Sequence, residues 1–197
     1  MNALVREAKL RLGVPFGFLI TMWLVEVANL VSHNFFLVFG IHPRTWAGLW
    51  GIAFAPFLHA NLPHIIANTG PFLILGTLIA LRGARDFVLV TCIVMVVGGG
   101  GVWLLGRPFS NHVGASGLIF GYFGFLLVHG FFERSFRAVF VSLATVALYG
   151  GMIWGVFPSM PGVSWESHLF GFLAGALAGR LLAIRPSPVV VRTRSVR

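Results

Sequence analysis

Residues 111–132 read NHVGASGLIFGYFGFLLVHGFF, where a short polar stretch leads into a long run without a charged residue. The run from 115 to 132 approaches the roughly 20 residues that an α-helix needs to cross a bilayer. Ser116 lies at its start, between Gly114 and Gly117. The sequence therefore predicts a membrane helix with a serine in its first turn, which is a helix cap, a packing residue or a nucleophile.

The rest of the chain carries the same apolar signal. Of its 197 residues, 57% are hydrophobic and 10% are charged, whereas soluble proteins carry about 25% charged residues. We therefore expect an all-α integral membrane protein with six transmembrane helices. The five further candidate spans are 15–39, 62–81, 87–105, 137–157 and 165–184.

The basic residues indicate the orientation of such a chain. Twelve of the 14 Lys and Arg residues flank helix ends that six spans would place on one side, and Arg44 and Arg107 are the exceptions. By the positive-inside rule, both termini are then cytoplasmic. This accounts for the net charge of +9 without a nucleic acid partner. We expect a cytoplasmic segment (1–14), a membrane domain (15–184) and a basic cytoplasmic tail (185–197).

Polar residues of three predicted helices share one depth near the outer face. His59, His64 and Asn68 lie at the start of the second helix, Ser116 at the start of the fourth and His168 at the start of the sixth. Each one alone is explained by a capping or interfacial hydrogen bond. Together they indicate a water-accessible cavity that opens outward, because ionisable groups within a membrane usually mark a functional site.

Small residues favour close contact between the fourth and sixth helices. Gly117 and Gly121 are four residues apart on one, and Gly171 and Gly175 are four residues apart on the other. This spacing lets helix backbones approach each other. The contact would bring the outer ends of the two helices together, and with them the serine and the histidine.

These residue types suit acyl transfer. A serine needs a base to become a nucleophile, and histidine is the usual one. The tetrahedral intermediate needs oriented donors, which a helix N-terminus, Asn68 and His64 would supply. The histidines show no metal-site spacing, since His59 and His64 are five residues apart with no cysteine or acid beside them.

Three motifs resemble those of the rhomboid family of intramembrane serine proteases. They are G-x-S-G over Gly114–Gly117, H-x-x-G-x-x-x-G over His168–Gly175, and H-x-x-x-x-H-x-x-x-N over His59–Asn68. The six-span layout with a long outer first loop is also similar to that of bacterial rhomboids. The resemblance covers residues 15–184.

The resemblance implies a Ser–His dyad, with Ser116 as nucleophile and His168 as general base. It implies an oxyanion hole made by the Ser116 N–H, His64 and Asn68, with His59 in support. The expected activity is hydrolysis of single-span or multi-span membrane proteins near the outer end of a transmembrane helix, through an acyl-enzyme. The family uses no metal or cofactor, and the site would open to the extracytoplasmic side of the cell membrane.

Two positions depart from the family pattern. Gly51 follows Trp50 where the family often has arginine, and Phe120 stands where it often has a tyrosine that packs against the base. Phe120 keeps the ring and loses the hydroxyl. Glu26, midway along the first helix, is expected to be a paired or hydrogen-bonded structural acid.

Two other functions stay open at this level. A rhomboid-like protein can capture transmembrane helices without cutting them, although such members lack the serine or the histidine and both are present here. A small transporter or channel would carry polar residues through the bilayer midplane. In this sequence the polar residues concentrate in the outer third.

Overall fold

The protein is helical throughout the part described by its computed structural model, residues 3–158 and 162–183. One isolated antiparallel bridge joins Ile41 to His112 in these residues. The elements are α1 (Ala3–Val31), a 3-10 helix (Phe35–Phe39), α2 (Gly48–Phe54) with a 3-10 turn (Ala55–Phe57), α3 (Leu62–Ala80), α4 (Ala84–Ile93), a π-helical segment (Val94–Gly98), α5 (Gly99–Leu105), α6 (Ser116–Glu133), α7 (Phe136–Tyr149) with a 3-10 extension (Gly150–Val156), and α8 (Trp165–Ala183).

Five helical stretches in these residues are long and apolar enough to cross a membrane. They are Val5–Val31, Leu62–Ala80, Ala84–Leu105, Ser116–Glu133 and Phe136–Val156. α8 is as long as α3, at 19 residues. Its Glu166, His168 and Arg180 lower its mean hydropathy, so composition alone does not identify it as a span. The chain is a multi-pass helical membrane protein, and the sixth span stays a prediction.

The first helix differs from the predicted span of 15–39. α1 begins at Ala3 and ends at Val31, and His33 and Asn34 then adopt left-handed conformations with φ of 54° and 66°. These two residues turn the chain, so the apolar residues after them form a short 3-10 helix instead. Charged residues at the start do not interrupt α1, because Arg11 forms an ion pair with Glu7 one turn away.

The connection between α1 and α3, called the first connection, folds into α2 and its turn. Trp46 and Trp50 on this connection are exposed, as expected of aromatic side chains at the membrane interface. Gly51 is buried, and a Cβ there would overlap the backbone of Gly40. The close approach of these two backbone segments therefore requires the glycine that stands where the family often has arginine.

α6 lies at the centre of the bundle. Its Tyr122 is fully buried, contacts Phe72 of α3 and Phe87 of α4, and is hydrogen-bonded through its hydroxyl to Thr91 at 2.8 Å. α7, in contrast, buries few side chains and exposes most of its apolar ones. Ser116 therefore starts a helix that is well packed along its length.

The glycine faces of α6 and α8 meet directly. A Cβ on Gly171 would overlap the carbonyl oxygen of Gly117, and a Cβ on Gly175 would overlap that of Gly121. The π-helical segment also approaches α8, because a Cβ on Gly98 would lie 3.2 Å from the carbonyl oxygen of Phe170. A larger side chain at Gly171 or Gly175 would force α6 and α8 apart, whereas one at Gly98 would require a smaller shift.

Basic residues of several connections lie at one end of the bundle. Arg11 near the start of α1 donates to the Leu81 carbonyl at the end of α3, at 2.6 Å. Arg82 pairs with Glu133 at the end of α6, also at 2.6 Å. Ser116 starts α6 at the opposite end, with the start of α8 beside it. The contacts agree with the predicted grouping, and its cytoplasmic location stays a prediction.

Candidate active site

Ser116 is the first residue of α6 and is half-buried. Gly114, two residues before it, has φ of +115°, a conformation that favours glycine. The Gly114 N–H donates to the Ala55 carbonyl at 2.9 Å, which fixes the loop against the first connection. The serine thus sits on a constrained turn, where the first N–H groups of a helix have no intrahelical partner.

His168 lies in the first turn of α8 and is 8% exposed. Its Nδ1 is hydrogen-bonded to the Gly155 carbonyl at 2.9 Å. Because a carbonyl oxygen only accepts, Nδ1 carries the proton, and in the neutral ring Nε2 keeps the lone pair. The imidazole also stacks on Phe120, with centroids 4.0 Å apart. The ring is therefore fixed in plane and in tautomer.

The serine and the histidine are carried by adjoining backbone segments. A Cβ on Gly117, the residue after Ser116, would lie 3.4 Å from the carbonyl oxygen of Ser167, the residue before His168. In the described part of the chain no hydrogen bond joins the Ser116 hydroxyl to the His168 ring, whose bond goes to Gly155. Catalytic hydrogen bonds are often long before substrate binds.

His64 and Asn68 reach the same loop from α3. The helix start is capped by Asn61, whose side chain accepts from the His64 N–H at 2.9 Å. A Cβ on Gly114 would lie 2.6 Å from His64 Cε1 and 3.6 Å from Asn68 Nδ2. Asn68 Nδ2 is buried and has no hydrogen-bond partner in the described residues. A buried donor of this kind beside the serine loop suits an acceptor that arrives with a substrate.

His59 supports the loop that leads into Ser116. It is fully buried, its Nε2 accepts from the Ala115 N–H at 3.3 Å, and its ring packs edge-on against His64 at 5.1 Å. The pKa of His59 is lowered to about 4, mainly by burial and in smaller part by the nearby His64, while the Phe57 carbonyl opposes the shift. His59 is therefore neutral at neutral pH and holds the N–H that precedes Ser116.

A small cavity of about 40 Å³ lies beside this turn, which is enough for water. The first connection, the π-helical segment and the first turns of α6 and α8 line it. Residues lining it include Ile41, Ala55, Gly98, His112, Gly114, Gly117, Ser167 and Gly171. Water held here would lie next to the loop that carries the serine.

Four polar residues near the site were not predicted to interact. Arg107 and Glu166 form an ion pair, with Nε and Oε1 2.5 Å apart, and His112 is hydrogen-bonded to Ser164. The Glu166 carboxylate is thus paired with Arg107. The only sequence signal was that both charges fall at predicted outer helix ends.

Glu26 is fully buried in α1 and lies next to Asn29, its expected hydrogen-bonding neighbour on the same helix. The Asn29 amide also donates to the Asn34 side chain at 3.2 Å and to the His59 carbonyl at 3.3 Å. α1 therefore contacts the site through Asn29.

Known proteins share this sequence pattern. The rhomboid domain matches residues 47–185, well over half of the chain. An uncharacterized protein of Mycobacterium tuberculosis is 44% identical over 174 residues, covering 84% of this chain and 72% of that protein. One of Mycobacterium leprae is 42% identical, covering 84% and 69%. RHOMBOID-like protein 1 of Arabidopsis thaliana is 30% identical over 146 residues, covering 70% of this chain and 36% of that protein.

Proposed function

The chain belongs to the rhomboid family, and we propose that it is an intramembrane serine protease with Ser116 as nucleophile and His168 as general base. Family membership implies intramembrane proteolysis. The observation that carries the proposed dyad is the hydrogen bond between His168 Nδ1 and the Gly155 carbonyl, because it leaves the Nε2 lone pair free to accept a proton.

The proposed reaction is acyl transfer in two steps. His168 Nε2 takes the Ser116 proton as Oγ attacks the scissile carbonyl carbon, and the carbonyl π electrons move to the oxygen. Collapse of this intermediate breaks the peptide C–N bond, and His168 gives its proton to the leaving amine. Water, deprotonated by the same imidazole, then attacks the ester and releases the acid and the free serine. No step requires a metal or cofactor.

The oxyanion would be stabilised from two helices. We assign the Ser116 N–H at the start of α6, where the helix dipole is positive, and the side chains of Asn68 and His64 on α3. Support for Asn68 comes from its Nδ2, which is buried beside Gly114 without a partner in the described residues. His59 would act as a positioning residue, because it holds the Ala115 N–H.

The proposed substrates are single-span or multi-span membrane proteins, cleaved near the outer end of a helix. The site lies at the end of the bundle opposite Arg11, Arg82 and Glu133. If basic residues mark the cytoplasmic side, as in other membrane proteins, the site opens to the extracytoplasmic side. This orientation follows from charge distribution and has its own test in protease protection of the termini.

A fluorophosphonate probe tests the dyad directly, because it reacts only with activated serines. Purified wild type in detergent is expected to label, whereas Ser116→Ala and His168→Ala are not. Ser142→Ala is the matched control, since that hydroxyl lies on α7 and donates to the Leu127 carbonyl. Labelling of Ser116→Ala at the wild-type rate, or absence of labelling in folded wild type, would contradict the proposal. Binding of a transmembrane reporter without cleavage would then favour a capture function.

A further inference from the structure

Two connections at the outer end carry the proposed dyad. The residues from Gly106 to Ala115 lead into Ser116, and those from Gly162 to Ser167 lead into His168. Both functional residues lie in first helical turns, where the backbone has the fewest intrahelical bonds and helices fray. The Gly121–Gly175 contact deeper in the bundle fixes the helix axes, and Gly117 packs against Gly171 and Ser167 beside the two first turns. Polar bonds between the two connections add directional contacts that this backbone packing lacks.

His112 provides such a bond. It is 2% exposed, and its backbone N–H and carbonyl both pair with Ile41 at 3.0 Å. Its Nδ1 is hydrogen-bonded to the Ser164 hydroxyl on the α8 side, and its Nε2 to the Ser110 hydroxyl on its own side, at 2.7 Å. Nδ1 thus binds the connection that leads into α8, while Nε2 binds a residue of the connection that carries His112 itself.

Ser164 is the residue that caps α8. Its Oγ accepts a hydrogen bond from the Ser167 N–H at 3.3 Å. Ser167 is the third residue of the helix, so this is the usual N-cap bond. The same hydroxyl donates to the Ser167 hydroxyl at 2.7 Å, and the Ser164 carbonyl accepts from the His168 N–H at 3.3 Å. Holding Ser164 therefore holds the turn that carries the proposed base.

A second link joins the same two connections. Arg107 and Glu166 form an ion pair through Nε and Oε1, and Arg107 Nη2 lies 3.4 Å from Oε2. Glu166 is 1% exposed and immediately follows Trp165 in the first turn of α8. The His112–Ser164 hydrogen bond and the Arg107–Glu166 ion pair thus both join the serine loop to the histidine turn, although neither touches the dyad.

We propose that His112 is a positioning residue, whose bond to the Ser164 cap fixes the turn of His168 relative to the loop of Ser116. The catalytic consequence rests on the proposed protease function, and the structural link does not. Displacements of about 1 Å at a site can lower a rate roughly 100-fold. Loss of the link should therefore slow reaction at Ser116 without removing any group that touches the substrate.

Replacement by two amides separates the ring nitrogens. The side-chain amide of Asn ends at the level of Nδ1, so His112→Asn can keep the bond to Ser164. The amide of Gln ends at the level of Nε2, so His112→Gln can keep only the bond to Ser110. His112→Leu keeps neither. Gln is nearer to His in volume, so a purely packing role would favour Gln over Asn.

The measurement is the rate of fluorophosphonate labelling, with amide hydrogen exchange in the first turn of α8 as an independent readout. We expect Asn within about threefold of wild type, and Gln and Leu slower by roughly 10- to 100-fold. Exchange at Ser167 and His168 should rise in Gln and Leu but not in Asn. Equal behaviour of Asn and Gln, or a wild-type rate in Leu, would overturn the positioning role.

The two proposals fail in different ways. Folded wild type that does not label would remove the protease assignment, while the exchange pattern would still test the link. An active wild type whose Leu variant keeps both the rate and the slow exchange would remove the link alone. Unfolding midpoints of all four proteins identify a variant that simply fails to fold.

Discussion

The imidazole of His168 stacks face to face on the ring of Phe120, with centroids 4.0 Å apart and planes 5° from parallel. α6 thus supplies both the proposed nucleophile and, one turn further along, the surface on which the proposed base rests. The missing tyrosine hydroxyl does not change this contact, since the ring alone makes it. The bond from Nδ1 to Gly155 then fixes rotation within the plane.

Gly155 is predicted to tolerate no side chain. A Cβ there would lie 2.7 Å from Phe120 Cζ and 3.2 Å from His168 Nδ1. Gly155→Ala should therefore displace both rings and lower the rate of fluorophosphonate labelling by about 10-fold or more. Gly151→Ala is the matched control in the same 3-10 extension, because nothing lies within 4 Å of its Cβ position. Equal labelling of the two variants would show that ring position is not limiting.

We predict that the Asn68 amide increases activity and decreases stability. Its Nδ2 is a buried donor without a partner in the described residues, and such a donor costs about 1–3 kcal/mol. Asn68→Leu, of nearly the same shape, should keep or raise the free energy of unfolding. If the amide stabilises the oxyanion, the same change should lower kcat for a transmembrane reporter by roughly 100- to 1,000-fold.

Two assays on the same Asn68→Leu preparation check this opposition. One is denaturation in detergent, and the other is reporter cleavage. Ile66→Leu on the exposed side of α3 is the control for leucine at this depth. A loss of stability together with activity would mean that Asn68 has a structural bond that the free protein requires.

The helical frame and the positions of the site residues follow from sequence patterns. A run of 18 residues without a charge predicted a helix over 115–132, and α6 spans Ser116–Glu133. Apolar length is a local property, so it can be read without knowing the fold. The i, i+4 spacing of His64 and Asn68 likewise determines their common helix face, and both border Gly114.

Bonds between distant connections do not follow from such patterns. Arg107 and Glu166 are 59 residues apart, and His112 and Ser164 are 52 apart. Their pairing depends on how two loops pack, and no spacing rule covers that. The predicted end of the first helix was also wrong, because left-handed conformations at His33 and Asn34 stop α1 at the polar triplet 32–34, well before residue 39. The apolar residues 35–39 beyond this triplet had extended the predicted span.

Because α6 and α8 are in contact at Gly175, a side chain at this position is predicted to destabilise the protein strongly. A Cβ there would overlap the Gly121 carbonyl oxygen, a backbone atom that cannot move aside alone. Gly175→Ala should lower the free energy of unfolding by about 1–3 kcal/mol or more. Gly17→Ala on α1 has open space at its Cβ position and should be neutral or stabilising. Thermal unfolding in detergent compares them, and equal midpoints would mean that the helices separate at little cost.

Because of His59, we predict that the free energy of unfolding decreases in acid. Its pKa is about 4 in the folded protein because it is buried, against 6.5 when it is free. Below pH 6.5 the unfolded chain takes up a proton that the folded chain refuses until about pH 4. The stabilisation is therefore complete above pH 6.5, falls between pH 6.5 and 4, and changes no further below that. The total is about 3 kcal/mol.

His59→Gln isolates this contribution, because glutamine does not titrate and its Oε1 can still accept from the Ala115 N–H. The free energy of unfolding, measured in detergent at pH 7, 5.5 and 4, should fall less steeply in the variant than in wild type. Between pH 7 and pH 4 the wild type should lose about 3 kcal/mol more free energy of unfolding than the variant, within a factor of two. Parallel pH profiles would mean that His59 is reached by solvent or protonated in the folded state, and its neutral, accepting role beside Ser116 would then be wrong.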